Sequence, residues 1–272
     1  MPILTWSLAS LALAYVSVVV GFAAFQRRLQ YFPDRRLVHL AQTGMRGGEE
    51  LRLATEDGET LVAWLFPAKD GLPLILYFHG NAGALVDRVP RFRMFTARGY
   101  GLLAVSYRGY GGSTGSPTQI GLMQDGEAAY REARARGYDG DRIVILGASL
   151  GTGVATALAV SHEAAALVLE APYLSALDVA SAYYPHFPVR WLMLDRFRSD
   201  LAIPSIHVPV LMVHGEEDDV IPISSARRLF ALANEPKTFV SVPGGGHLVL
   251  ERADVFPRMC EWIDEKILVS RS

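Results

Sequence analysis

The segment Gly147-Ala148-Ser149-Leu150-Gly151 sets a serine between two glycines, directly after the apolar run 143–146 and ahead of a helical stretch over 150–161. A serine on a sharp strand-to-helix turn is held clear of its neighbours. Glycines two positions away on either side avoid collisions with the adjoining strand and helix. The amino terminus of the helix presents unpaired N–H groups to the serine, where they can stabilise negative charge. These residues suit nucleophilic attack by Ser149 on a carbonyl carbon. A second glycine-rich segment, His79-Gly80-Asn81-Ala82-Gly83, follows the apolar run 74–78. In acyl transfer the oxyanion is held by the N–H of the residue after the nucleophile, here Leu150, and by a donor from such a loop, assigned to Asn81. His79 reads as an anchor of the loop through hydrogen bonds rather than as a proton carrier.

The nucleophile needs a base, and the base needs an orienting acid. Gly244-Gly245-Gly246-His247 follows the run 239–242. Of the seven histidines, His247 best fits the chain order serine, acid, histidine. The acid falls in His214-Gly215-Glu216-Glu217-Asp218-Asp219, after the run 210–213. Four adjacent carboxylates leave the choice open, and Glu170, closing the run 167–169, is a rival.

Strands and helices must bring these loops together. Short apolar runs at 74–78, 102–105, 143–146, 167–169, 210–213 and 239–242 alternate with helical stretches near 88–98, 123–136, 150–161, 224–233 and 255–267. That alternation predicts an α/β fold with a mostly parallel sheet covered by helices on both faces. Strands at 50–54 and 60–66, joined by the turn Glu56-Asp57-Gly58-Glu59, would add an antiparallel edge. Ligands of such sheets bind beyond the carboxyl ends of the strands, where all the segments above lie. A chain of 272 residues is ample for this core, and half its residues are hydrophobic. The net charge of −2 argues against a nucleic-acid partner. The one cysteine, Cys260, excludes an intrachain disulfide framework and a cysteine-based zinc site. It is expected to be a buried small hydrophobe.

The mean hydropathy of +0.20 has a local source. Residues 3–25 contain no Asp, Glu, Lys or Arg. A helix of that length can cross a hydrocarbon core about 30 Å thick. Arg27, Arg28, Arg35 and Arg36 follow it and place that side in the cytoplasm by the positive-inside bias. The expected organisation is a membrane anchor over 1–26, a juxtamembrane linker over 27–48 with Tyr31 and Phe32 at the interface, and a catalytic domain over 49–272. A cleaved signal peptide ending near Ala23-Ala24, and hence export, is the alternative.

On the motifs Tyr77–Gly83, Tyr107–Gly111, Gly147–Gly151, His214–Pro222 and Gly244–His247 the chain resembles the α/β-hydrolase superfamily over about residues 51–267. More narrowly it is similar to the membrane-anchored serine hydrolases that include protein depalmitoylases and lysophospholipid lipases. Gln26-Arg27-Arg28-Leu29-Gln30-Tyr31-Phe32-Pro33 also looks like that branch. The resemblance implies Asp218 as the acid, His247 as the base, and hydrolysis of esters or thioesters through an acyl-enzyme, with no metal or organic cofactor. The third glycine before His247 departs from the branch's usual two. A small cap-like insertion is expected at 173–208, where Tyr183, Tyr184, Phe187 and Trp191 would contact an acyl chain or the bilayer. The expected substrate is a medium- or long-chain acyl ester or thioester, on a lipid or a lipidated protein. A peptidase on the same fold is the main alternative, and a non-catalytic binding module a further one.

Overall fold

A computed structural model describes residues 2–270. Its centre is an eight-stranded sheet built from β2 (Glu49–Ala54), β3 (Thr60–Phe66), β4 (Leu74–Phe78), β6 (Gly101–Val105), β7 (Ile143–Ala148), β8 (Ala166–Glu170), β9 (Val210–Gly215) and β10 (Lys237–Val242). The spatial order is β10-β9-β8-β7-β4-β6-β3-β2. All neighbours are parallel except β2 with β3 and β3 with β6, so the two early strands form the expected antiparallel edge. Strand β4 shows why these sequences read as continuous apolar runs. Leu74, Leu76 and Phe78 enter one core and Ile75 and Tyr77 the other. Alternate side chains point to opposite faces, and helices cover both. The connecting helices are α2 (Val89–Arg98), α3 (Gln119–Ala135), α4 (Leu150–Ser161), α8 (Ile223–Leu232) and α9 (Phe256–Ser270). Thr118 starts α3 by accepting a hydrogen bond from Gly121 N–H with its side chain. Cys260 is fully buried on α9.

Between β8 and β9 the chain leaves the sheet and forms three short helices, α5 (Ala176–Tyr183), α6 (Val189–Leu192) and α7 (Ser199–Ala202). They occupy the segment expected to be a cap. Ser175 caps α5 by accepting from Asp178 N–H.

The amino-terminal helix α1 (Pro2–Gln30) is long and apolar enough to cross a membrane. Trp6, Leu8, Leu11 and Leu13 are bare. From Tyr15 onward the helix lies against the cap. Tyr15 donates its hydroxyl to His186 O, and the Phe22 ring sits 4.7 Å from that of Phe187. The Gln26 side chain bonds to both Leu192 O and Leu194 N–H. Arg27 pairs with Asp195 at 2.9 Å.

The helix runs past the expected boundary at residue 26, and the start of the stretch expected to be a juxtamembrane linker is tied into the fold. The helix continues to Gln30. Tyr31 does not sit at an interface but is only 3 % exposed. The next two residues form a short strand, β1 (Phe32–Pro33), paired in parallel with β5 (Ala82–Gly83) in the glycine-rich loop after β4. The physical reason is hydrogen bonding: Phe32 N–H donates to Asn81 O, and Asn81 Nδ2 donates to Gln30 O.

Candidate active site

The strand ends deliver the residues named from sequence. Ser149 sits on the turn between β7 and α4 with φ 52° and ψ −120°. A positive φ is strained for a non-glycine residue, and such strain gathers at functional sites. The flanking glycines are dictated by contact. A Cβ on Gly147 would lie 2.4 Å from Gly151 O, and one on Gly151 would lie 2.2 Å from Phe78 O. A side chain at Gly151 would push the turn off β4, and one at Gly147 would push α4 off β7. His247 arrives on the loop after β10. Its Nε2 lies 2.8 Å from Ser149 Oγ, so the hydroxyl can donate to it. Its Nδ1 is 2.9 Å from Asp218 Oδ2, on the loop after β9. The geometry thus provides a continuous path for a proton from Ser149 to His247, with Asp218 fixing the tautomer.

Asp218 is held firmly. It accepts from Val220 N–H and Ile221 N–H at 2.9 Å each, and His214 Nε2 stands 3.2 Å from it. Burial pushes its carboxyl pKa up, but hydrogen bonds with His214, His247 and Ile221 outweigh that, holding it well below the usual carboxylate range. Glu216, Glu217 and Asp219 do not approach His247 in any hydrogen bond among the described residues.

Glu170 has another task. It is fully buried and forms an ion pair with Arg91 of α2. Its Oε1 accepts from Val249 N–H and Leu250 N–H at 2.7 Å each, just beyond His247. Its backbone oxygen accepts from Ser149 N–H at 2.9 Å. One residue therefore braces both the nucleophile's turn and the histidine loop. The sequence offered no pointer to this role, because Arg91 lies in an amphipathic helix whose pairing across 79 positions leaves no local trace.

The two expected oxyanion donors flank the serine. Leu150 is the first residue of α4, so its N–H has no partner inside the helix. Gly80 brings the β4 loop against the nucleophile, with space for a Cβ only at 3.4 Å from Ser149 Cβ. Asn81 has its carbonyl occupied by Phe32 N–H and Tyr110 Oη–H, and its side chain by Gln30 O. Its own N–H has no acceptor among the described residues. His79 anchors the loop as expected. Its Nδ1 donates to Gly80 O at 2.6 Å, while Tyr107 N–H approaches Nε2 at 3.4 Å. Burial pushes its pKa down to about 3, so it stays neutral in the fold.

Ser149 opens onto a cavity of about 390 Å³. Tyr183, Tyr184 and Phe187 of the cap line it, together with Val189 and Leu192. Trp191, expected beside them, does not. It is 83 % exposed, because α6 turns Val189 and Leu192 inward and residue 191 falls on the other face. The opposite wall was not foreseen: Val19, Phe22, Ala23 and Gln26 of α1 also line the cavity. Among the described residues, no Asp, Glu, Lys or Arg is in the lining. No group of His, Cys, Asp or Glu among the described residues could hold a metal ion.

Residues 72–201 match the family described as "Serine aminopeptidase, S33". The chain is 41 % identical to the protein Rv2307c of Mycobacterium tuberculosis, over 88 % of this chain and 86 % of that one. It is 34 % identical to the α/β hydrolase domain-containing protein WAV2 of Arabidopsis thaliana, with 85 % of each chain covered. The chain belongs to the α/β-hydrolase family. It is an enzyme of the serine-hydrolase type. The hydrolase is also 34 % identical to the lysophosphatidylserine lipase ABHD12 of Rattus norvegicus, over 61 % of this chain and 47 % of that one. Among solved structures, the Pyrococcus furiosus esterase Pf2001 superposes with a TM-score of 0.65 at 19 % identity, covering 88 % of the hydrolase and 96 % of the esterase. That likeness speaks for the fold.

Proposed function

We propose that this hydrolase is membrane-anchored and cleaves the ester or thioester bond of a medium- or long-chain acyl substrate through Ser149, His247 and Asp218. The observation that carries the reading is the hydrogen-bonded series Ser149–His247–Asp218 at the mouth of an apolar cavity without charge. Ser149 attacks the carbonyl carbon while His247 takes its proton. The N–H groups of Leu150 and Asn81 receive the oxyanion, and each such donor is worth about 3 kcal/mol in the transition state. His247 then protonates the leaving alcohol or thiol. Water, activated by the same histidine, releases the acyl group from Ser149. Asp218 keeps the imidazole oriented and stabilises its charged form.

The similarity to a lysophosphatidylserine lipase supports a lipid ester as substrate. A palmitoyl thioester on a protein fits the same cavity chemistry. The family description favours a second reading, an aminopeptidase. Such an enzyme needs a carboxylate to receive the substrate's α-ammonium, and the cavity lining has none.

Anchoring rests on the apolar length of α1 and on its continuity. The helix runs unbroken through Ala23-Ala24, and Phe22, Gln26 and Arg27 engage the cap on both sides of that dipeptide. Cleavage there would remove contacts that the folded domain uses. The arginines after the span support a cytoplasmic catalytic domain.

The test is hydrolysis of p-nitrophenyl esters with two to sixteen carbons by detergent-purified enzyme, beside Ser149→Ala and with an amino-acid p-nitroanilide as peptidase substrate. The expected result is ester cleavage reduced by at least about 10⁴-fold in the variant, with an optimum above the shortest chains. Preference for the anilide, or equal rates in the variant, would overturn the reading.

A further inference from the structure

The cap and α1 share a wall, and that fixes how deep the cap sits. Contacts between them begin at Tyr15 and continue through Phe22, Gln26 and Arg27. Residues 15–25 of this stretch belong to the uncharged run. Ten helical steps cover about 15 Å, half of a hydrocarbon core about 30 Å thick. If α1 spans, the cap flanks it at the depth of the leaflet next to the catalytic domain. The cap's outer surface suits that position. Trp191 is 83 % exposed and Leu194 62 %. In water such side chains would be left wet. In the leaflet they face lipid, with the Trp191 ring suited to its boundary.

The cavity lies on the inner side of the same contact. One end is at Ser149 and Asn81, beside Gln30 at the end of α1. The other reaches Val19, eleven residues back along the helix, or about 16 Å. The wall along this path carries no charge.

We infer that the membrane helix is itself part of the acyl-binding site, and that the substrate's chain passes sideways from the proximal leaflet into the cavity between α1 and the cap. Val19, Phe22 and Ala23 then set which chain lengths fit. The substrate is a molecule already resident in that leaflet, a lipid or a lipid-modified protein, whose carbonyl reaches Ser149 while its chain stays against α1. This inference rests on the catalytic reading and on anchoring, and it adds the route and the residues that select the chain.

The test uses full-length enzyme reconstituted in phosphatidylcholine vesicles. Ala23→Trp fills the wall, Phe22→Ala opens it, and Val20→Trp places the same bulk on an exposed face of α1 outside the cavity. Fluorophosphonate labelling of Ser149 reports an intact nucleophile in each. The kcat/KM ratio of a sixteen-carbon to a four-carbon p-nitrophenyl ester should fall at least tenfold in Ala23→Trp. Each methylene denied burial costs about fourfold. Phe22→Ala should move the optimum to longer chains, and Val20→Trp should match wild type. Where Ala23→Trp fails to label, Phe22→Ala decides. A sixteen-carbon ester in the enzyme's own vesicles should be cleaved at least tenfold faster than the same ester supplied in separate vesicles. Unchanged chain-length ratios in labelled variants overturn the acyl wall, and equal rates from the two vesicle arrangements overturn the sideways route. Failure of the wild type to label would instead strike the catalytic reading beneath both.

Discussion

Two acids compete for one role, and their surroundings separate them. Asp218 and Glu170 both stand at strand ends, and both are buried. Asp218 bonds to His247, whereas Glu170 spends its oxygens on Arg91 and on two N–H groups of the histidine loop. Asp218→Asn should lower kcat by about 10⁴-fold with little change in folding, because the amide supports the wrong tautomer. Glu170→Gln should act mainly on stability, since it leaves the buried Arg91 with only the half-exposed Glu251 as counter-charge, at a cost of up to about 3–5 kcal/mol. Steady-state kinetics and denaturant midpoints on the pair would check this. The reverse pattern would move the acid's role to Glu170. At this scale much was legible in sequence. The strained turn, its two glycines and the histidine follow from residue type and position in the strand–loop order. The choice among four acids did not follow from the residues and needed the resemblance. The Arg91–Glu170 brace was hidden, since an ion pair between distant segments has no sequence signature.

Elements were legible where periodicity was strong. The sheet strands fall within a residue or two of the apolar runs, and α3 begins four residues earlier than the helical stretch suggested, where Thr118 caps it. What stayed hidden were contacts made by short elements. Strand β1 has two residues, too few for any alternation, and its pairing with β5 depends on where α1 ends. The cap's position against α1 is likewise set by long-range polar contacts. Asp195 is buried and receives Arg27, and its backbone oxygen accepts from Gln30 Nε2. Asp195→Ala should loosen the cap from α1 by about 1.5–3 kcal/mol, the worth of a hydrogen bond to a charged group. The cap should become more sensitive to limited proteolysis while Ser149 still labels with a fluorophosphonate. Unaltered protease sensitivity would show that the remaining contacts of Tyr15, Phe22, Gln26 and Gln30 hold the two together without the Asp195 carboxylate.

Across the whole molecule, stability should respond to acid through His79. Its pKa is pushed down to about 3 by burial, with the Gly80 hydrogen bond opposing, against about 6.5 in an unfolded chain. Between those values the unfolded state binds a proton that the folded state refuses. Stability therefore falls as pH drops below about 6.5, by up to about 1.4 kcal/mol per unit from this one group. His79→Gln, which keeps a donor for Gly80 O, should flatten that dependence. Unfolding midpoints of both proteins between pH 4 and 7 would show it, and parallel curves would refute it.

The strand pair β1–β5 bears on how this hydrolase can be handled. Hydrophobic leaders are commonly trimmed to obtain soluble protein for crystallisation and assay. Here a fragment starting after Pro33 would lack Phe32, which donates to Asn81 O, and Gln30, which receives the Asn81 side chain. Asn81, the proposed oxyanion donor, would lose two of the three hydrogen bonds that hold it, keeping only the one from Tyr110. Such a fragment would still possess Ser149, His247 and Asp218, and on the proposed mechanism should be a slower catalyst toward short and long esters alike. A weak rate measured on it would reflect the trimming, not the enzyme.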